Sequence, residues 1–177
     1  MQNKTYCDIK EITYVSVGVA VMIAGGFVIY QLSFIFPIPG VKYILMSPYL
    51  SIVIYILLSL VQREFTLLKF GAVFGFIMML INLYMGIAII TTAILSQLTI
   101  VAIDNRKKAF FGAILFSTYT GISTLIISKH LIGGIFSEIT YPWIIITGLL
   151  CSVFGIIGVT IAKRLLKYLN RYYYEQL

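Results

Sequence analysis

Charge, histidine and cysteine are all scarce in this chain, and each shortage excludes something. Charged residues make up 11% of the 177 positions, six residues are acidic, and His130 is the sole histidine. A single imidazole, placed in an expected outer loop, leaves no Ser-His-Asp set to argue. As a haem ligand His130 competes with an ordinary solvated loop histidine, and solvation is the preferred reading. No carboxylate pair falls at helical spacing inside an apolar run, and there is no Walker-type glycine loop. Cys7 lies in a polar segment and Cys151 in the last apolar run, which suits neither a disulfide nor a metal site. The chain is not expected to be an enzyme, and neither a metal nor another cofactor is implied.

Apolar residues are what the chain has. They account for 60% of it, and the mean hydropathy is +1.02. A soluble domain of this length needs no such surface, and several stretches approach the roughly 20 apolar residues that cross a bilayer. The polar start leads into a span of full length, so no cleavable signal peptide is expected. The expected fold class is all-α: a polytopic membrane protein, a six-transmembrane-helix bundle with both termini cytoplasmic. Spans are placed at about 12–34, 43–62, 67–83, 84–103, 110–128 and 141–162, in one integral membrane domain over 1–177, with no internal repeat or low-complexity linker. The third and fourth are separated only by Asn82, Tyr84 and Gly86, where a tight turn is the economical reading. A four- or five-span chain with a tilted or re-entrant third segment is the alternative.

The net charge of +7 raises nucleic acid as a partner, but the distribution of the thirteen basic residues points to topology instead. Lys4, Lys10, Arg63, Lys69, Arg106, Lys107, Lys108, Lys163, Arg164, Lys167 and Arg171 fall on one side of the six spans. Lys42 and Lys129 fall on the other. Eleven against two follows the positive-inside rule with both ends in the cytoplasm, and an odd span count would misplace one basic end. Lys69 is expected to snorkel to the interface. The tail 163–174 alternates basic residues with Leu and Tyr and is expected to prolong the last helix into the headgroup layer.

Two features of the first third suggest function. Ser16, Ala20 and Ala24 are four apart and form a smooth strip along one helix face, the kind of surface on which another helix approaches closely in lipid. Then Pro37, Pro39 and Gly40 break the helix before the second span. Polar and aromatic residues gather towards the outer half: Lys42, Tyr43 and Tyr49 after the break, Asn82 and Tyr84 at the turn, Tyr119, Ser123 and Lys129 on the fifth span, Glu138, Tyr141 and Trp143 before and in the sixth. Such groups at membrane depth favour a site, although Tyr141 and Trp143 also suit an aromatic belt. All of these except Tyr141 form the candidate substrate set. Gln97, in the inner half of the fourth span, is expected to bond a neighbouring helix.

With six spans and both ends inside, the chain resembles the substrate-binding S components of energy-coupling factor (ECF) transporters. The likeness rests on Ala20-Val21-Met22-Ile23-Ala24, which matches the family's AxxxA strip, on the Pro37-Ile38-Pro39-Gly40 segment where those proteins carry a loop over the substrate, and on Gly155-Ile156-Ile157-Gly158 leading to Lys163-Arg164-Leu165-Leu166. The resemblance implies capture of a vitamin-like micronutrient at the extracellular side of the cell membrane. It also implies docking on a membrane coupling subunit powered by two cytoplasmic ATPase subunits, with the subunit toppling to carry its site inward. The rival is a non-catalytic structural or assembly subunit of a larger complex. A self-contained secondary transporter is disfavoured by the shortage of membrane-embedded acids.

The charge asymmetry makes a direct prediction. Single cysteines at Asn105 and Ser137, in a Cys7- and Cys151-free background, are treated with an impermeant thiol reagent on intact cells. Labelling at 137 and protection at 105 are expected; the reverse pattern overturns the orientation.

Overall fold

The computed structural model describes residues 2–33, 35, 38–61, 63–104 and 107–174, and six α-helices account for most of them. They are α1 (Gln2–Ser33), α2 (Val41–Leu60), α3 (Thr66–Ile81), α4 (Leu83–Val101), α5 (Lys108–Ile127) and α6 (Tyr141–Tyr174), with no strand among the described residues. Five of the helices are long and apolar enough to cross a membrane. The chain is a helical membrane protein. The expected span 67–83 is shorter than a full crossing: α3 has 16 residues, about 24 Å at 1.5 Å per residue, against a hydrocarbon core of about 30 Å. The last helix continues through the basic tail as expected, to Tyr174. Phe34, Gln62, Pro37, Asn105 and Arg106, which figure in the expected spans, loop, labelling site and charge pattern, lie outside the described residues.

The turn at Asn82 is tighter than expected. Asn82 alone is non-helical between α3 and α4, in an extended conformation, and its side-chain oxygen accepts the Met85 amide at 3.2 Å as an N-cap. The two helices return along each other because small residues face across the seam. A Cβ on Gly71 would run into Ala93, and one on Gly75 would lie 2.6 Å from Ile90. At Gly86 a Cβ would meet the Gly75 carbonyl at 2.6 Å. Lipid tails are as apolar as the side chains, so this proximity, not burial from water, holds α3 to α4.

The centre of the bundle is built the same way. Gly158 of α6 sits against the backbone of Pro48, the proline inside α2, so closely that its absent Cβ would overlap the Pro48 carbonyl. One turn back, Gly155 lies between Ser117 of α5 and Ser51 of α2. Hydroxyls stitch the seam: Ser47 donates to the Cys151 carbonyl at 2.5 Å, and Ser51 to the Ala113 carbonyl at 3.2 Å. Bulky groups fill the space towards α1 and α3, where Phe70 packs with Phe74 and Phe116 at centroid distances of 5.8 and 6.2 Å. Val15, Val19 and Met22 project from α1 into this cluster. Only 22% of the apolar window of α1 is buried, against 39% in each of the other four long spans, which places α1 at the edge.

Both chain ends reach the same end of the bundle. There Glu11 of α1, 5% exposed, accepts from Arg63 at 3.2 Å and from Lys69 of α3 at 2.8 Å. Lys163 of α6 lies 4.4 Å over the Phe110 ring of α5. Lys69 therefore does more than snorkel, because it neutralises a buried carboxylate. At this depth an unpaired carboxylate is expensive, and a pair of cations offsets that cost.

Gly158→Ala is expected to destabilise the detergent-solubilised bundle by about 1–3 kcal/mol, the usual range for overpacking a filled contact. Gly18→Ala is the control, since a Cβ there would lie an ordinary 3.6 Å from Leu57 and Phe70. Thermal unfolding midpoints check the comparison; equal midpoints for the two variants refute the close-contact account.

Candidate functional site

At the end away from the termini, α2 starts at Val41, earlier than the expected span. Lys42 and Tyr43 are thus in its first turn and not in the loop. The break before it is set by Gly40, whose φ of 100° is a left-handed conformation that other residues adopt at a cost. Gly40 is also packed tightly, because a Cβ would come 3.1 Å from the Thr147 hydroxyl of α6. The adjoining Pro39 carbonyl accepts the Trp143 indole N–H at 2.9 Å. The described part of the proline-broken segment is therefore pinned to the start of α6.

Around that anchor the structure gathers Lys42, Tyr43, Lys129 and Trp143. Lys42 Nζ lies 4.9 Å from the centroid of the Tyr43 ring and 5.8 Å from that of Tyr30 on α1. Ser128, buried where α5 ends, lies beside the Tyr43 hydroxyl. α5 ends in a π-helical turn, Ser128–Ile132, followed by Gly133 and Gly134 at φ 69° and 61° and a 3₁₀ turn, Gly134–Glu138. Lys129 in that π turn donates to the Ile139 carbonyl at 2.6 Å and stands 4.1 Å over the Tyr141 ring. Tyr43 and Ile139 share a small apolar cluster with Leu125, Ile144 and Cys151, and Trp143 packs on it. Neither Lys42 nor Lys129 has a carboxylate at ion-pair distance among the described residues. Two ammonium groups are held here by ring faces and a carbonyl, and that combination suits a planar or anionic ligand.

The other expected site residues lie apart from this group. Glu138 is exposed at the end of the 3₁₀ turn, and Asn82 and Tyr84 are exposed at the tip of the α3–α4 hairpin. Tyr49 reaches sideways to donate to the Val21 carbonyl and covers Gly25, so it clamps α2 to α1. Tyr119 shares a hydrogen bond with Thr99 at 3.1 Å, and Ser123 shares one with Thr92 at 2.6 Å. These last two hydroxyls join α4 to α5. Tyr30 and Ser128, which complete the surroundings of Lys42 and Tyr43, had no distinguishing signal in the sequence beyond being polar near a span end.

A cavity of about 670 Å³ opens at the opposite end, which carries the termini. It lies between the end of α2, the α2–α3 link, the end of α4 and the start of α5, with Gln97 in its wall. No expected substrate residue belongs to it. Among the described residues no group of three His, Cys, Asp or Glu side chains could hold a metal ion. Comparison with known proteins found no matching family model, no matching curated protein and no matching solved structure.

Trp143→Phe keeps the ring and removes the donor to Pro39. One net hydrogen bond of about 1 kcal/mol corresponds to roughly fivefold in a local opening equilibrium. Amide exchange in residues 40–44 is expected to speed up by about that factor, with the α3–α4 hairpin unchanged. Unaltered exchange in 40–44 means the indole does not anchor the segment.

Proposed function

We propose that this chain is the substrate-binding membrane subunit of an ECF-type importer in the cell membrane. In this reading it captures a vitamin-like micronutrient at the extracellular side and docks on a membrane coupling subunit driven by two cytoplasmic ATPase subunits. It performs no chemistry on its ligand.

The observation that carries the reading is the direction in which the small-residue strip faces. Ser16, Ala20 and Ala24 are exposed on α1, while Val15, Val19 and Met22 of the same helix are buried. The smooth face is not spent on the chain's own packing and stays open to a helix of another subunit, where close approach is the main source of attraction. The Lys42–Tyr43–Lys129–Trp143 group supports the ligand side of the reading. It lies at the end that the charge asymmetry assigns to the outside, next to a segment with the proline and glycine content of a lid. A bound ligand there bridges the ammonium groups and the pinned loop.

Ala20→Trp and Ala24→Trp are expected to abolish uptake and co-purification with the coupling subunit. Ligand retained by the isolated subunit, measured by mass spectrometry of co-purifying small molecules, should change less than about twofold, well under the tenfold that 1.4 kcal/mol represents. Loss of ligand and partner together overturns the docking face. A stable complex that carries no small molecule favours the assembly-subunit alternative.

A further inference from the structure

We propose that the connector between α5 and α6 is the moving gate at the Lys42 end, with Lys129 as its latch, Gly133 and Gly134 as its hinge and Phe136 as its plug over Tyr43. The proline-broken link before α2, where the resemblance places a loop over the substrate, is the fixed wall instead. The assignment holds whatever the Lys42 group binds and does not depend on the transport reading.

The link before α2 is tied to another helix. The Pro39 carbonyl accepts the Trp143 indole N–H at 2.9 Å, and Gly40 is seated so that a Cβ would come 3.1 Å from the Thr147 hydroxyl. Both partners belong to α6, which is locked to α2 where Gly158 meets the Pro48 backbone. Moving the link would therefore part α2 from α6. The connector's backbone bonds are all local. The Gly133 amide donates to the Ser128 carbonyl, the Phe136 amide to that of Gly133 and the Ile139 amide to that of Phe136, each at 3.2 Å. The first of these spans five residues, the rare π pattern that recurs at functional sites. A shift to α-helical bonding turns the residues after it by about 100°, the step of one residue at 3.6 per turn. Gly133, at φ 69° and ψ −149°, holds a conformation almost confined to glycine. A Cβ on it or on Gly134 would meet nothing within 4 Å, so no packing resists a change of angle there.

Two contacts hold the connector down. Lys129 reaches ten residues along the chain to donate to the Ile139 carbonyl at 2.6 Å, and so ties the π turn to the start of α6. Its ammonium also stands 4.1 Å over the Tyr141 ring. Phe136, half-buried, packs on the cluster that contains Tyr43, Leu125 and Ile139. Ser137 adds nothing across the connector, because its hydroxyl donates to the Gly134 carbonyl within the same turn. Lys129 is itself only half-buried, so on release its head turns to water and no charge is stranded. Glu11 at the other end is different, since a buried carboxylate parted from its cations pays a heavy desolvation penalty. When the latch opens, Phe136 lifts from the cluster while Ser128 and Ile139, both buried, remain as the fixed ends. Tyr43, 9% exposed in the closed form, is uncovered beside Lys42.

The test uses the full chain in detergent and reads amide exchange at residues 133, 136 and 139 together with thiol access. Lys129→Met removes the donor and keeps the stem. Exchange at those amides is expected to rise about tenfold, the consequence of losing one hydrogen bond to a charged group, while residues 40–44 stay within about twofold of wild type. Lys129→Arg keeps both charge and donor and should match wild type within about twofold. Gly133→Ala disfavours the hinge conformation without meeting any neighbour, so it should speed the same amides and leave the thermal midpoint of the bundle unchanged. It replaces Lys129→Met if that variant does not fold. For access, Tyr43→Cys in a Cys7→Ser, Cys151→Ser background is treated with an impermeant thiol reagent, and adding Lys129→Met should raise its labelling about tenfold. Unchanged exchange in both Lys129→Met and Gly133→Ala overturns the latch and the hinge. Exchange in 40–44 that rises in step with the connector means that the end opens as one body and overturns the fixed wall. Equal labelling with and without Lys129→Met overturns the gate.

Discussion

The tight approach of Gly158 of α6 to the backbone of Pro48 in α2 sets the geometry of nearly everything else. In lipid there is no gain from hiding apolar surface, so helices hold together where backbones come near and hydroxyls find carbonyls. α2 and α6 satisfy both conditions along one seam, with Gly155 between Ser51 and Ser117 and with Ser47 on the Cys151 carbonyl. They run in the same direction, since Ser47 meets Cys151 and Ser51 meets Gly155. Their starts therefore arrive together at one end. That is why Trp143, two residues into α6, can reach the carbonyl of Pro39, two residues before α2. A larger residue at 158 would part the seam and displace the end that carries Lys42 and Trp143 through rigid helices, without touching any residue there.

The two ends solve the problem of charge differently. Near the termini, the Glu11 carboxylate is buried and answered by two cations, one of them 54% exposed at Lys69. Water reaches the cations but not the carboxylate, so the cluster is tied down from inside while its positive side faces the interface. At the other end neither Lys42 nor Lys129 pairs with an acid among the described residues. Lys42 and Lys129 rest on Tyr43, Tyr30 and Tyr141, whose ring faces attract an ammonium group less strongly than a carboxylate does. A fully neutralised pair would have little left to offer a ligand, whereas an ammonium on a ring can exchange that contact for a better one. The glycine pair after the π turn, both in left-handed conformation with open space around them, lets the segment carrying Lys129 adjust at modest cost.

Much of the fold was legible in the sequence, and the reasons for the rest are physical. Six helices and the break at Asn82 followed from run length and from one amide in an otherwise apolar stretch. The facing of those helices did not. A membrane helix is apolar on its lipid side and on its protein side, so the periodicity that orients a helix in a soluble protein is weak here. Tyr119 and Ser123 looked like site residues because polar groups at depth attract that reading. Their hydroxyls instead meet Thr99 and Thr92, since four-helix-turn neighbours on α4 and α5 offer the nearest partners. Tyr49 is the same case across α1 and α2. Lys42, Tyr43, Lys129 and Trp143 do come together, but through Pro39, Gly40 and the Tyr43–Leu125–Ile139 cluster, contacts between segments roughly 80 to 105 residues apart that no local pattern encodes.

The placement of α1 carries the last step. Ordinary packing would turn its small residues inward, as α3 does with Gly71 and Gly75 and α6 does with Gly155 and Gly158. α1 does the opposite for Ser16, Ala20 and Ala24, and fills its inward face with Val15, Val19 and Met22. Bulky side chains inside give it a firm but limited hold on Leu57 and Phe70, while Ser16, Ala20 and Ala24 leave a narrow low strip on the outward face between larger exposed residues such as Val17, Val21 and Phe27. A helix meant only to shield the bundle gains nothing from such smoothness, because Leu or Phe would serve the lipid boundary as well. Smoothness matters where another backbone must come within reach and leave again. A peripheral helix with its core face filled and a low strip of Ser16, Ala20 and Ala24 left open has what the proposed docking on α1 requires, and that strip lies apart from Lys42 and Trp143 at the start of α2 and α6.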